Sequence, residues 1–431
     1  MLRRRRTIEG RAMSGWAEGF FGIKGVKILP ATLLVCLAAA FVLRPMPVWA
    51  LTFYAGVVPA TVYRLWRGAN FPWRDPRVLL IGLLVLWSGL TLLWGINPGG
   101  GRVEKFALAA VCTTLFFIAL VVSTREVPEM IRYCMTVIIV VSACNAALSI
   151  ILFFGQYIPY LPPAGARLNG WAETYNSILG ALVISIGYLA ALDRLIRERR
   201  NRFANCLSAI LCFTFVALTG SRGPLLSLLA ATVVLMWGSV SRFITTLVIL
   251  AMAGATLGVS APSFVQDLLS RPSHRVPIWE FTLGRIAEHP WIGHGLAAYL
   301  GMSAEFTFPH SLYLSALFYG GLVGFFLLTA VILQVTWGLL KLTRASGQPL
   351  LLALWMSALC GGLTDLGQVT EGPSELWLVF WLPLSLSCAV LSGAAYEPRV
   401  AYYCSARLRG NSARVGARSE PGKGRASAEL G

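Results

Sequence analysis

All four histidines of the chain (His274, His289, His294 and His310) fall within or at the exit of one stretch, residues 260–309. Arg271, Arg275 and Arg285 share it. Imidazoles titrate near neutral pH and can move a proton, and guanidinium groups grip phosphate oxygens two at a time. Upstream, Thr219-Gly220-Ser221-Arg222-Gly223-Pro224 joins two apolar runs. Its glycines permit a tight turn and Pro224 suits the first turn of a helix. Arg222 is therefore expected at a helix start, where unpaired N–H groups already attract an anion. The competing reading is an arginine that only reaches out of the bilayer. His310 opens Pro309-His310-Ser311-Leu312-Tyr313-Leu314 and leads into a long apolar run. An imidazole there can orient or deprotonate an incoming hydroxyl, although a histidine at a membrane interface often serves structure alone. His289 precedes a proline and reads as a helix cap, and His294 sits in a Gly-His-Gly turn. The external loops show no HxxxH, HExxH or DxD spacing, so neither a metal nor another cofactor is expected.

The frame that must position these groups is a membrane bundle. Of 431 residues, 56% are hydrophobic and 13% charged, against about 25% charged in soluble domains. Apolar runs of spanning length occur at 28–44, 47–64, 78–95, 106–123, 131–154, 175–193, 203–219, 224–239, 243–259, 310–340, 349–364 and 375–393. The expected fold is an all-α polytopic membrane protein of about twelve transmembrane helices, with one large outer loop (260–309) carrying short interfacial helices. Basic residues collect on the cytoplasmic side of short loops. With the N-terminus inside, 28 of the 36 Lys and Arg residues fall there, and alternation holds across all twelve runs. Both termini are then cytoplasmic: a basic segment 1–27, the spanning body 28–397, and a Gly/Ser/Ala/Arg-rich tail 398–431 expected to be disordered. The run 28–44 lacks a cleavage site and reads as a retained first span.

A net charge of +17 is mainly this topological bias. Spread over short loops, it does not form the basic face that nucleic-acid binding requires. Nine cysteines lie in spans or the tail, so no disulfide framework is expected. Eight basic residues remain outside: Arg44, Arg102, Lys105, Arg167, Arg222, Arg271, Arg275 and Arg285. Arg44 reads as a span-end arginine, and Arg102, Lys105 and Arg167 carry weaker expectations of function.

Inside the outer loop, 275–289 has helical periodicity, with Ile278, Trp279, Thr282, Leu283 and Ile286 on one face and Glu280, Arg285 and Glu288 elsewhere. Pro290 should end it. Such a helix can lie on the membrane as a lid, with Trp279 at the headgroups and Arg275 four residues away on the same face. The bland alternative is a plain interfacial helix.

The order Thr-Gly-Ser-Arg-Gly (219–223), Arg275-x-x-x-Trp279, His289-Pro290-x-x-Gly293-x-Gly295, His310-x-x-Tyr313-Leu314 and Gly320-Gly321-Leu322-Val323-Gly324 resembles the bacterial O-antigen ligase and polymerase superfamily. The motifs cover about 219–324, and the twelve-run layout extends the likeness. The resemblance implies a metal-independent, membrane-embedded glycosyltransferase in the bacterial inner membrane with its active site facing the periplasm. It implies a glycan donor linked through diphosphate to undecaprenol, and as acceptor a sugar hydroxyl of the lipid A core. A polymerase of the same superfamily would instead extend O-antigen or exopolysaccharide units. By position, Arg222 and Arg275 match the family's diphosphate-binding arginines and His310 its acceptor-side histidine. Arg271, Trp279, Glu280 and Tyr313 are further substrate-binding candidates, and Arg271 could replace Arg275. Ser311 stands where asparagine is common, which leaves the partner of His310 open. A lipid-glycan transporter is disfavoured, because span interiors carry almost no charge; Asn145 and Asp365 come nearest to exceptions.

Overall fold

Lipid offers a backbone N–H no partner, so apolar runs must satisfy their own hydrogen bonds. The computed structural model describes residues 28–44, 46–95, 101–160, 162–163, 165–198, 200–236, 273–303 and 306–393, and among them every regular element is a helix. The described residues begin with α1 (Ile28–Val42), α2 (Met46–Thr52), a π turn (Phe53–Val57) and α3 (Val58–Trp66). Next come α4 (Pro76–Leu90), α5 (Gly101–Glu126), α6 (Met130–Gly155), α7 (Leu179–Arg197), α8 (Arg202–Leu218) and α9 (Arg222–Leu235). Beyond 237–272 follow α10 (Arg275–Glu288), α11 (Leu312–Ser346), α12 (Leu350–Gly362), a second π turn (Trp377–Trp381) and α13 (Leu382–Leu391).

Among the described residues, five stretches are long and apolar enough to cross a membrane: Pro76–Leu93, Val103–Glu126, Met130–Gly155, Leu179–Arg197 and Leu312–Ser346. Shorter apolar helices accompany them. The run 47–64 is helical throughout, with a π turn at Phe53–Val57 between α2 and α3. The run 243–259, Arg271 and both terminal segments lie outside the described residues.

Helix α7 packs on α8, α9 on α12, α11 on α4, and α13 on α5. Leu182, Val183, Ile184, Leu189 and Ala190 of α7 are all buried, which makes it a central post. Trp377 stacks on Phe116 at 4.6 Å, fastening the last run to α5. Polar side chains appear where loops must be held. Asn145 of α6 donates to the Phe41 and Trp171 carbonyls at 2.7 and 3.0 Å and accepts from the Thr174 hydroxyl at 2.8 Å. It is a structural anchor for the loop between α6 and α7, which accounts for a polar residue inside a span.

Helix α11 is not the continuous span expected. Gly321 (φ 62°, ψ −164°) breaks it, in a region of backbone space open essentially to glycine alone. The segment 290–295 inserts its backbone at the break. His294 and Gly295 donate to the Phe318 and Tyr319 carbonyls at 2.8 and 2.9 Å, while Leu322 and Val323 donate to those of Pro290 and Trp291 at 2.8 and 3.3 Å. A side chain on Gly321 would run into the Trp291 carbonyl. Buried backbone groups freed by the break are thereby satisfied, and the exit of α10 is riveted to α11.

Candidate active site

The turn between α8 and α9 forms as its residues require. Gly220 takes φ 59°, Ser221 is the extended cap residue, and Arg222 is the first residue of α9, with Pro224 in the first turn. The N-terminus of α9 abuts the loop after α12 so closely that a Cβ on Gly223 would collide with the Thr364 hydroxyl.

Arg275, at the first position of α10, reaches the same loop. Its Nε donates to the Thr364 carbonyl at 2.7 Å and its Nη2 to Asp365 Oδ2 at 2.5 Å. The Asp365 side chain is 5% exposed and that of Arg275 26%, and two bonds fix the guanidinium plane. Burial pushes the Asp365 carboxyl up to about 6, with Arg275 pulling the other way.

His310 completes the group. Its backbone is left-handed (φ 51°), a costly state for a residue with a side chain. Its ring lies against Phe308 with centroids 3.9 Å apart. Nδ1 is 4.0 Å from Asp365 Oδ1, while Nε2 is buried and makes no hydrogen bond. Burial, and then the Arg275 charge, lower its pKa to about 4. The imidazole is therefore neutral near pH 7, with one nitrogen facing a carboxylate and the other without a hydrogen-bond partner. Asp365, unassigned in the sequence reading, is thus the hub: Arg275 and His310 both face its carboxylate and the turn of Arg222 packs beside it. The signal available was its position, a carboxylate just beyond a span end.

The other candidates are placed differently. Helix α10 ends at His289 as expected, but its apolar face does not lie open on a membrane. Ile278 is buried with Ala298, Leu300, Phe318 and Tyr319, and Trp279 and Ile286 pack against them. Trp279 thus faces protein, and Leu283, expected on this face, is 54% exposed. Glu280 is exposed on the opposite side. Tyr313 donates its hydroxyl to the Leu359 carbonyl at 3.0 Å, tying α11 to α12. His294 is buried, bonded at Nε2 to the Arg285 carbonyl at 2.7 Å and stacked on Phe318; its burial lowers its pKa. It braces the loop. His274 lies beside Phe306 at the N-cap of α10. Arg44 sits 4.9 Å over the Trp171 ring.

Arginine, carboxylate and imidazole side chains thus meet on a bundle of apolar helices, several of them long enough to cross a membrane. A family model described as O-antigen ligase matches residues 207–329, the region from α8 through the broken part of α11. The O-antigen ligase of Pseudomonas aeruginosa (strain PAO1) is 29% identical over 311 residues, covering 70% of this chain and 74% of that protein. Both comparisons make the chain similar to O-antigen ligases.

Proposed function

We propose that this protein is an O-antigen ligase-type glycosyltransferase of the bacterial inner membrane. It has about twelve spans, both termini in the cytoplasm, and the loop 260–309 in the periplasm. Its donor is a glycan linked through diphosphate to undecaprenol, and its acceptor a sugar hydroxyl of the lipid A core. The acceptor oxygen attacks the anomeric carbon and the bond from that carbon to the diphosphate oxygen breaks, inverting the configuration. Undecaprenyl diphosphate leaves, and the acceptor proton passes to Nε2 of His310.

Negative charge grows on the departing diphosphate. Preorganised guanidinium groups stabilise such charge with little reorganisation, so Arg222 and Arg275 take the place a divalent cation would otherwise fill. Asp365 fixes Arg275 and presents a carboxylate to the far side of His310. The observation that carries this reading is the meeting of Arg275, Asp365 and His310, with the start of α9 at Gly223 packed against Thr364 beside them.

The test uses purified protein in proteoliposomes with an undecaprenyl-diphosphate-linked glycan. Lipid A core is the acceptor in one arm and the free repeat unit in the other. Glycan appearing on lipid A core supports the reading. Chain extension alone makes the protein a polymerase, and movement of intact donor across the bilayer without transfer refutes enzymatic function.

A further inference from the structure

The loop between α6 and α7 carries an arginine to which no role has been given. Arg167 Nε donates to the Thr219 carbonyl at 2.8 Å, and Nη2 to the Ser221 hydroxyl oxygen at 2.8 Å. These two acceptors flank Gly220, the left-handed pivot of the turn that launches α9. One planar fork therefore spans the bend from both sides, which a point-charge ammonium on a flexible stem cannot do. The Ser221 hydroxyl in turn donates to the Ser177 carbonyl at 3.0 Å, and the Leu168 N–H donates to the Leu218 carbonyl at 3.0 Å. The turn is stitched to the preceding loop at residues 218, 219 and 221.

That loop is itself immobilised. Asn145 holds the Trp171 carbonyl and the Thr174 hydroxyl, and Ser149 accepts from the Trp171 N–H at 3.1 Å. Trp171 Nε1 donates to the Val42 carbonyl at 3.0 Å. Leu168 is fully buried. A rigid platform thus runs from α1 and α6 through Arg167 to the residue before Arg222. On the other side of the turn stands the Thr364–Asp365 loop, and the Arg167 charge is close enough to help hold Asp365 ionised.

We infer that Arg167 is a positioning residue for the transfer reaction, clamping the 219–221 turn so that Arg222 and the N-terminus of α9 face the diphosphate of the donor. This rests on the proposed function and adds to it a residue that acts through Arg222.

Four variants of the full chain in proteoliposomes test it: Arg167→Gln, Arg167→Lys, Ser221→Ala and Arg222→Gln, with the double variant R167Q/R222Q. Two quantities are read: the glycan-transfer rate, and the inhibition constant of undecaprenyl diphosphate, which probes the diphosphate site without any sugar. Loss of charged hydrogen bonds should make R167Q slower by about tenfold or more and raise the inhibition constant in step. R167K should leave most of that loss in place, because charge alone does not restore the fork, and S221A should show a smaller loss of the same kind. In the double variant, R167Q should add little once Arg222 is gone, a non-additivity that general destabilisation does not produce.

Should R167Q not accumulate in the membrane, R167K and S221A carry the same two readouts. The inference is overturned if R167Q or R167K behaves within twofold of the unsubstituted protein while R222Q is impaired. It is equally overturned if the R167Q and R222Q effects multiply. If R222Q itself transfers normally, the diphosphate reading of the whole site falls and this inference with it.

Discussion

Replacing Asp365 by asparagine keeps the shape of the side chain and removes its charge. Oδ2 of Asp365 takes the Arg275 Nη2 at 2.5 Å and Oδ1 faces His310 Nδ1 at 4.0 Å. The amide can offer Arg275 a neutral acceptor or turn its NH₂ toward it, but cannot present a carboxylate to both partners. A hydrogen bond to a charged group is worth about 1.5–3 kcal/mol, or about 10–150-fold in rate if the geometry matters only in the transition state. D365N should therefore transfer glycan about 10–100-fold more slowly, with unchanged insertion and yield. The pH profile sharpens the test. Asp365 is raised to about 6 and His310 lowered to about 4, so the working state has the carboxylate ionised and the imidazole neutral. As pH falls through 6 the carboxylate gains its proton and its hold on Arg275 weakens, so activity should decline there; a second decline toward pH 4 follows as His310 charges. D365N should lose the upper decline and keep the lower. The assay is transfer in proteoliposomes from pH 4 to 8. Activity within twofold of the unsubstituted protein, or an unchanged upper decline, would refute the reasoning.

His310→Ala should cost about 10²–10⁴-fold in transfer, the usual worth of general-base assistance. It should leave the inhibition constant of undecaprenyl diphosphate nearly unchanged, since the imidazole serves the acceptor. A rise in that constant with an intact maximal rate would contradict this assignment. Gly321→Ala forces a side chain into a backbone region costing about 1–3 kcal/mol, and also into the Trp291 carbonyl. Its melting temperature in detergent should drop and transfer should fall with it, because the 290–295 segment secures α10. An unaltered melting curve would show that the break is not a rigid joint.

Local chemistry was legible in the sequence where it depended on neighbours along the chain. The Thr219–Pro224 turn, the start of α9 at Arg222 and the end of α10 before Pro290 follow from glycine, proline and capping rules, and the structure reproduces them. Apolar runs gave the helices. What stayed hidden depends on contacts across the chain. The Arg275–Asp365 pair joins residues 90 positions apart, and no local pattern announces it. Periodicity marked an apolar face on α10 but could not say what covers it; Trp279, expected at the headgroups, packs against the cluster of Ile278 and Phe318. The Gly320-Gly321 pair was visible as a motif, yet α11 read as one span, because the insertion of 290–295 is a backbone event with no side-chain signature. Asn145 read as an anomaly within a span until its partners, the Phe41 carbonyl of α1 and Trp171 and Thr174 of the α6–α7 loop, accounted for it.

The central claim is that two guanidinium groups neutralise the departing diphosphate. Single-turnover transfer by Arg222→Gln and Arg275→Gln, each in proteoliposomes with a chelator present, tests it most directly. The account predicts chelator-insensitive transfer by the unsubstituted protein and a loss of about 10²–10³-fold in each variant, the scale of removing one preorganised transition-state donor. Transfer that stops on chelation, or proceeds at near-normal rate in both variants, would contradict it.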